Sequence, residues 1–231
     1  MGGLLVLWDV DFTLVDSGGL GEHLYRLVFR DLFGRELPGM APMAGRTDRA
    51  IIADTLARAG VADPGAHLAE FLAKLAARAP AMSGLARERV RALPGAGAAL
   101  AAMAAHPGVV QSVLTGNVPA VAQLKLDAPG LTRYLDLSVG AFGDHHEVRA
   151  ELVREARRKA AAVYGGFPGR STVLVGDTPL DVAAALAAGA RAVGVASGHS
   201  PATALAGAGA HAVLPDLRGT SAVTAAILGS S

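Results

Sequence analysis

The chain contains no cysteine, which excludes a disulfide framework, thiolate catalysis and cysteine-ligated zinc together. Neither sign of charge is in excess: 21 Lys and Arg stand against 20 Asp and Glu, for a formal net charge of +1. So balanced a chain carries no electrostatic footprint for nucleic acid or for an acidic membrane surface. No apolar run approaches the roughly 20 residues that a membrane span needs. A secretory signal is also missing, since Met1-Gly2-Gly3 has no basic side chain and Asp9 cuts the first apolar run short. Gly2 opens no myristoylation motif, because Val6 stands where that motif wants Ser or Thr. The expectation is a cytoplasmic protein with no nucleic-acid and no membrane partner. No feature of the sequence sets its oligomeric state.

What the chain has in quantity is apolar: 52% of its 231 residues are hydrophobic and 18% charged. That suffices for one large domain, or for a core domain with an insertion. The opening run, residues 4–8, reads as a strand buried on both faces, as in a parallel sheet. Where it should leave the sheet stand Asp9 and Asp11, followed by Thr13. An open α/β sheet binds ligands at the carboxyl ends of its strands, so carboxylates there are placed for chemistry rather than packing. Two acids this close repel, so one holds a proton or a cation sits between them. The arrangement suits one carboxylate as nucleophile, a second as acid/base, and a hard metal ion.

After this strand the character changes. Residues 20–33, 48–60, 66–79 and 85–93 show apolar residues at three- and four-residue spacing and read as four helices, with no convincing strand among them. Thr47 is placed to cap the second of these, and Gly60 to stop it. From Pro94 onward strands alternate with helices. Strands are expected at 109–114, 137–142, 172–175, 191–195 and 212–214, and helices at 96–105, 118–126, 148–164, 180–188, 201–208 and 221–228. Alternation of this kind means crossover units and a mostly parallel sheet.

Two of the later strands also run into polar residues at their ends. One leads into Thr115-Gly116-Asn117, a hydroxyl, a glycine that permits close backbone approach, and an amide at a helix start, which together make an anion site. The other leads into Gly176-Asp177-Thr178-Pro179-Leu180-Asp181, with Asp177 at the strand tip and Asp181 in the first helical turn. Asp9, Asp11 and Asp177 together would supply oxygen ligands suited to octahedral Mg²⁺. Lys125, two turns into the helix after Asn117, is placed to reach back over the same pocket.

Asp9-Val10-Asp11-Phe12-Thr13, Thr115, a downstream lysine and Gly176-Asp177-Thr178-Pro179-Leu180-Asp181 resemble, in order and spacing, the four motifs of the haloacid-dehalogenase-like hydrolase superfamily. The likeness is greatest to its phosphoglycolate-phosphatase-like members with a helical cap after the first motif. The resemblance implies a Rossmann-like α/β core, residues 1–16 and 94–231, with an inserted α-helical cap at 17–93. It implies Mg²⁺-dependent hydrolysis of a small phosphorylated metabolite, phosphoglycolate-like or a sugar phosphate. Asp9 would attack phosphorus, and Asp11 would protonate the leaving oxygen, then activate water. Thr115, with Thr13, Gly116 and Asn117, would hold the phosphoryl group, and Lys125 would neutralise charge on the nucleophile. Asp9, Asp11, Asp177 and Asp181 would hold or orient the metal.

Two departures stand out. Phe12 replaces the usual glycine, and the Lys-Pro of the third motif is absent, with Arg149 standing there instead. The reading favours Lys125 over Arg149 for that role. Arg46, ahead of a cap helix, is a candidate contact for a substrate carboxylate, although an arginine simply solvated beside a helix cap is the blander account. A phosphomutase would use the same residues. A dehalogenase is disfavoured by Asp11, and a non-catalytic binding protein by the completeness of the motifs. Asp144-His145-His146-Glu147 lacks a third imidazole at sensible spacing and is not read as a zinc site.

Overall fold

The computed structural model describes residues 3–229. In chain order its elements are β1 (Leu4–Trp8), β2 (Val15–Asp16), α1 (Leu20–Phe33), α2 (Asp48–Arg58), α3 (Pro64–Arg78), α4 (Ser83–Arg89) and β3 (Arg91–Ala92). These are followed by α5 (Ala96–Ala104), β4 (Val109–Val113), α6 (Pro119–Asp127), α7 (Arg149–Tyr164), β5 (Thr172–Gly176), α8 (Pro179–Ala187), β6 (Arg191–Val195), α9 (Ala202–Gly207), β7 (Ala212–Leu214) and α10 (Thr220–Leu228). Five strands form one sheet in the order β4-β1-β5-β6-β7, every neighbouring pair parallel. This is the Rossmann-like α/β architecture.

The apolar run of β1 explains its central place. Leu5, Val6, Leu7 and Trp8 are all fully buried, and alternate residues face opposite sides of the sheet. Leu5 and Leu7 join a layer with Leu152 and Val153 of α7 and Val182 of α8. Val6 and Trp8 join the other layer with Leu100 of α5, Leu126 of α6 and Ile227 of α10. Each such side chain contributes about 1.5–3 kcal/mol by leaving water. The Trp8 indole donates to Gln111 Oε1 on β4 (3.0 Å), and Gln111 donates to the Leu100 carbonyl (2.9 Å), so the layer's polar atoms are paired. Because Trp8 is in register with Val113 and with Val175, the ends of β1, β4 and β5 lie level, and the residues after them converge.

Two expectations are corrected. Residues 137–142 do not form a strand: Leu137–Val139 is a single 3₁₀ turn, and one bridge, Leu114 to Ala141, is what remains of the pairing. The Asp136 carboxylate accepts from the Ser138 backbone N–H (2.9 Å) and ties the chain into a turn, which the buried apolar run Val139, Ala141 and Phe142 disguises. The helical stretch also ends on a strand. Arg91–Ala92 pairs antiparallel with Val15–Asp16, where the chain leaves the sheet region and returns to it. Both β3 residues are exposed, so no hydrophobic pattern marks them.

The helical insert is seated on the sheet region by backbone contact. The Asp48 N–H donates to the Gly116 carbonyl (2.7 Å), and the Arg49 N–H to the Gly143 carbonyl (3.2 Å). Thr47 caps α2 through Ala50 N and donates to the Glu147 carbonyl (3.3 Å). A Cβ on Gly143 would fall well inside contact distance of the Gly116 carbonyl and would crowd Asp48 N. Gly143→Ala should therefore lower stability by about 1–3 kcal/mol, read as a lower midpoint in urea denaturation.

Candidate active site

The carboxyl ends of β1, β4 and β5, with the first turns of α7 and α8, enclose a set of buried polar side chains. Asp9 follows β1, Thr115 follows β4, and Asp177 follows β5, and all three are buried. Asp181 sits in the first turn of α8, where Thr178 caps the helix and accepts the Asp181 N–H while Asp181 Oδ2 accepts from Thr178 N (3.1 Å), a reciprocal capping box. Oxygens of Asp9, Asp177 and Asp181 all lie within 4.8 Å of one another.

Arg149, the first residue of α7, is the cation among them. Its Nη2 donates to Asp9 Oδ1 (2.7 Å) and its Nε to Asp181 Oδ1 (2.8 Å). Burial works against its charge, but Asp181 and Asp9 outweigh that and hold it firmly protonated. One guanidinium does not neutralise three acids. Burial pushes the Asp9 carboxyl well above the usual range despite Arg149, with Asp181 and Asp177 adding to the effect. Asp177 is raised to about 7 by burial and by Asp181. Asp9 and Asp177 resist ionising, and together with Asp181 they offer only oxygen donors, which fits a small hard divalent cation.

The second cluster is separate. Lys125, 2% exposed, points its ammonium at both oxygens of Asp11 (2.8 and 2.7 Å) and at Asn117 Oδ1 (2.8 Å). Asn117 Nδ2 in turn donates to Asp11 Oδ2 (2.8 Å) and to Thr115 Oγ1 (2.7 Å). Burial alone would raise the Asp11 carboxyl, yet the Lys125 charge and the hydrogen bonds from Asn117 and Lys125 prevail and hold it low. The contact with Asp9 expected of Lys125 is thus made by Arg149, and Lys125 lies on Asp11. The physical reason is reach: α6 brings Lys125 in beside the loop carrying Asp11, whereas α7 starts directly behind Asp9. The Asp11 carboxylate, being taken up by Lys125 and Asn117, is not among the three clustered acids.

The remaining residues divide. Thr13 is buried, with its hydroxyl 3.5 Å from Asp177 Oδ1. Gly116 has no room for a side chain, since a Cβ would meet the Arg46 carbonyl. Arg46 itself borders the cavity, but its guanidinium turns back into the insert, donating to Asp54 Oδ2 (3.0 Å) and to the carbonyls of Pro42 (3.0 Å) and Ala50 (3.1 Å). Phe12 occupies the left-handed region at φ 58°, a conformation that glycine takes freely and that costs other residues about 1–2 kcal/mol. Ser197 Oγ donates to its carbonyl (2.6 Å) and its ring packs on His199, with centroids 4.7 Å apart. Ser197 and His199 carry no sequence signal and went unread, as did Gly198, where a Cβ would collide with the Asp177 carboxylate.

Asp48 also escaped notice, because an acid after an N-cap threonine reads as an ordinary first-turn residue. It is 3% exposed. Its Oδ1 accepts from the Tyr25 hydroxyl (2.7 Å) and its Oδ2 from the Val118 N–H at the head of α6 (2.8 Å). Asp9, Asp11, Asp48, Thr115, Lys125, Arg149 and Asp177 border a cavity of about 360 Å³, walled on the insert side by Gly21, Met43, Ala44, Gly45 and Ile51.

A family model of haloacid dehalogenase-like hydrolases matches residues 6–186. No curated protein matches the chain in sequence. Among solved structures it is similar to a predicted phosphoglycolate phosphatase from Haemophilus somnus, with 18% identity and a TM-score of 0.66, covering 96% of this chain and 98% of that one. It is similar to a predicted phosphatase from Clostridium acetobutylicum, with 18% identity and a TM-score of 0.64 over 93% and 94% of the two chains. A protein from Bacteroides vulgatus provisionally named a β-phosphoglucomutase aligns at 19% identity with a TM-score of 0.67, over 98% and 90%. At these identities the structural matches establish the shared fold.

Asp48 yields a pH test. Burial lifts its carboxyl to about 6, against the lowering effect of the Tyr25 and Val118 hydrogen bonds. A carboxyl raised on folding binds more protons in the folded state, so its contribution to stability falls as pH rises from about 4 to above 6. Asp48→Asn removes this titration. Between pH 4 and pH 7 the wild-type protein should lose on the order of 2–3 kcal/mol relative to the variant, measured by chemical denaturation at each pH.

Proposed function

The chain belongs to the haloacid dehalogenase-like hydrolase family, and from that premise we propose that it is a cytoplasmic Mg²⁺-dependent phosphatase. It hydrolyses a small phosphomonoester through an aspartyl-phosphate on Asp9. The observation that carries this reading is the gathering of Asp9, Asp177 and Asp181, far apart in sequence, around one buried point. Residues 17–93 act as the cap, and the likeness to phosphoglycolate-phosphatase-like proteins supports that division.

Asp9 attacks phosphorus as the leaving oxygen departs, and Asp11 supplies that oxygen's proton. Asp11 then takes a proton from the water that attacks the phosphoryl group, releasing phosphate and restoring the Asp9 carboxylate. Thr115 and the backbone at Gly116 and Asn117 hold the phosphoryl oxygens, with Thr13 buttressing Asp177. Arg149 sits against Asp9 and Asp181, so it takes the charge-neutralising role, and Lys125 orients Asp11 and stabilises the carboxylate that Asp11 becomes once it has given its proton to the leaving oxygen. Asp9, Asp177, Asp181 and the backbone carbonyl of Asp11 would hold Mg²⁺, which would supply charge stabilisation on the phosphoryl oxygens. Most of the catalysis is then positioning and fixed charge.

A panel of phosphorylated metabolites, assayed for released phosphate with Mg²⁺ and with chelator, tests this. Phosphate release should require the metal, and Asp9→Asn should lower kcat at least 1,000-fold while leaving the unfolding midpoint within a few degrees. Acid-quenched wild-type protein should carry a phosphoryl group that Asp9→Asn lacks. Isomerised sugar phosphate without phosphate release would replace hydrolysis by phosphomutase activity.

A further inference from the structure

The cavity that holds the reacting groups also has walls that face the leaving group, and their chemistry is selective. Six carboxylates border it (Asp9, Asp11, Asp16, Glu22, Asp48 and Asp177) against three cations, Arg46, Lys125 and Arg149. Each cation already has an acid of its own. Arg149 lies on Asp9 and Asp181, Lys125 on Asp11, and Arg46 on Asp54. The last pair is decisive, because Arg46 is the cation that the insert presents to this space, and its guanidinium is neutralised inside the insert. A divalent metal ion and a phosphoryl dianion cancel each other's charge. A second negative group on the substrate would then meet apolar Met43 and Ile51, with no unpaired lysine or arginine among the described residues of the lining, and the one insert acid there, Glu22, is itself taken up by Arg26. Burying an anion without a partner is costly, and such a mismatch discriminates strongly between otherwise similar ligands.

We infer that the substrate is the phosphomonoester of a small alcohol bearing no negative charge of its own, so that phosphoglycolate and other phosphorylated carboxylates are rejected. The inference rests on the phosphatase reading above and narrows its substrate class. The size of the cavity, near the lower end for small-molecule sites, limits the alcohol to a compact one. The apolar wall formed by Met43, Ala44 and Ile51 favours one with an apolar face.

The test compares two substrates of the same shape that differ in one charge: phosphoglycolate and its amide, 2-amino-2-oxoethyl phosphate. p-Nitrophenyl phosphate serves as a generic third. Steady-state kcat/KM is measured at pH 8 with saturating Mg²⁺. The amide should exceed phosphoglycolate at least tenfold. Equal values, or a preference for phosphoglycolate, would overturn the inference while leaving the phosphatase reading intact. Failure to turn over any of the three would overturn both.

Discussion

Three carboxylates share one buried point at the tips of β1 and β5, and a single guanidinium lies among them. Such an arrangement is costly in itself, since taking charges out of water is repaid only by close and well-satisfied pairing. Arg149 satisfies Asp9 and Asp181 directly. Asp177 is left with a long contact to Thr13 and with the backbone at Gly198 pressed against it. Apolar layers on both faces of the sheet offset this electrostatic cost, with β1 and β5 buried along almost their whole length. What results is a rigid pocket short of positive charge at its centre, and a cation and a phosphoryl group both complement that deficit.

Much of this was legible along the chain. An apolar run ending in two acids, and another ending in Gly-Asp with a second acid one helical turn later, announce strand tips that carry ligands rather than packing groups. The long helices were equally plain, because their apolar spacing is regular: the helix expected at 20–33 is α1 to the residue. What stayed hidden depends on the path of loops. Lys125 does reach back over the pocket, as its place two turns into α6 suggests, but which acid it meets is set by how the loop after β1 bends. Arg149 reaches Asp9 because the segment before α7 runs alongside the end of β4, where Ala141 pairs with Val113 and Thr115, and no periodicity encodes that. The turn at 137–139 and the two-residue strand β3 were missed for a related reason: both are held by local hydrogen bonds, not by a buried face.

Phe12 shows how an apparent departure from a pattern is accommodated. A glycine would adopt φ 58° freely, whereas phenylalanine takes it at a cost. Here the cost is offset by the Ser197 hydroxyl on its carbonyl and by the His199 ring on its side chain. The loop after β6 is thereby fastened to the loop after β1, and Gly198, between those two partners, lies against Asp177. A bulky residue in place of the usual smallest one therefore joins two loops that the sheet alone would leave independent.

Helix α6 carries two duties on one short rod. Its first turn presents the Val118 N–H to Asp48, anchoring the insert, and two turns later it presents Lys125 to Asp11. One short helix thus gives the insert and the carboxylate beside the sheet a common support. A change that weakened the seat of this helix would reach both ends at once, the Asp48 carboxylate and the Asp11 carboxylate.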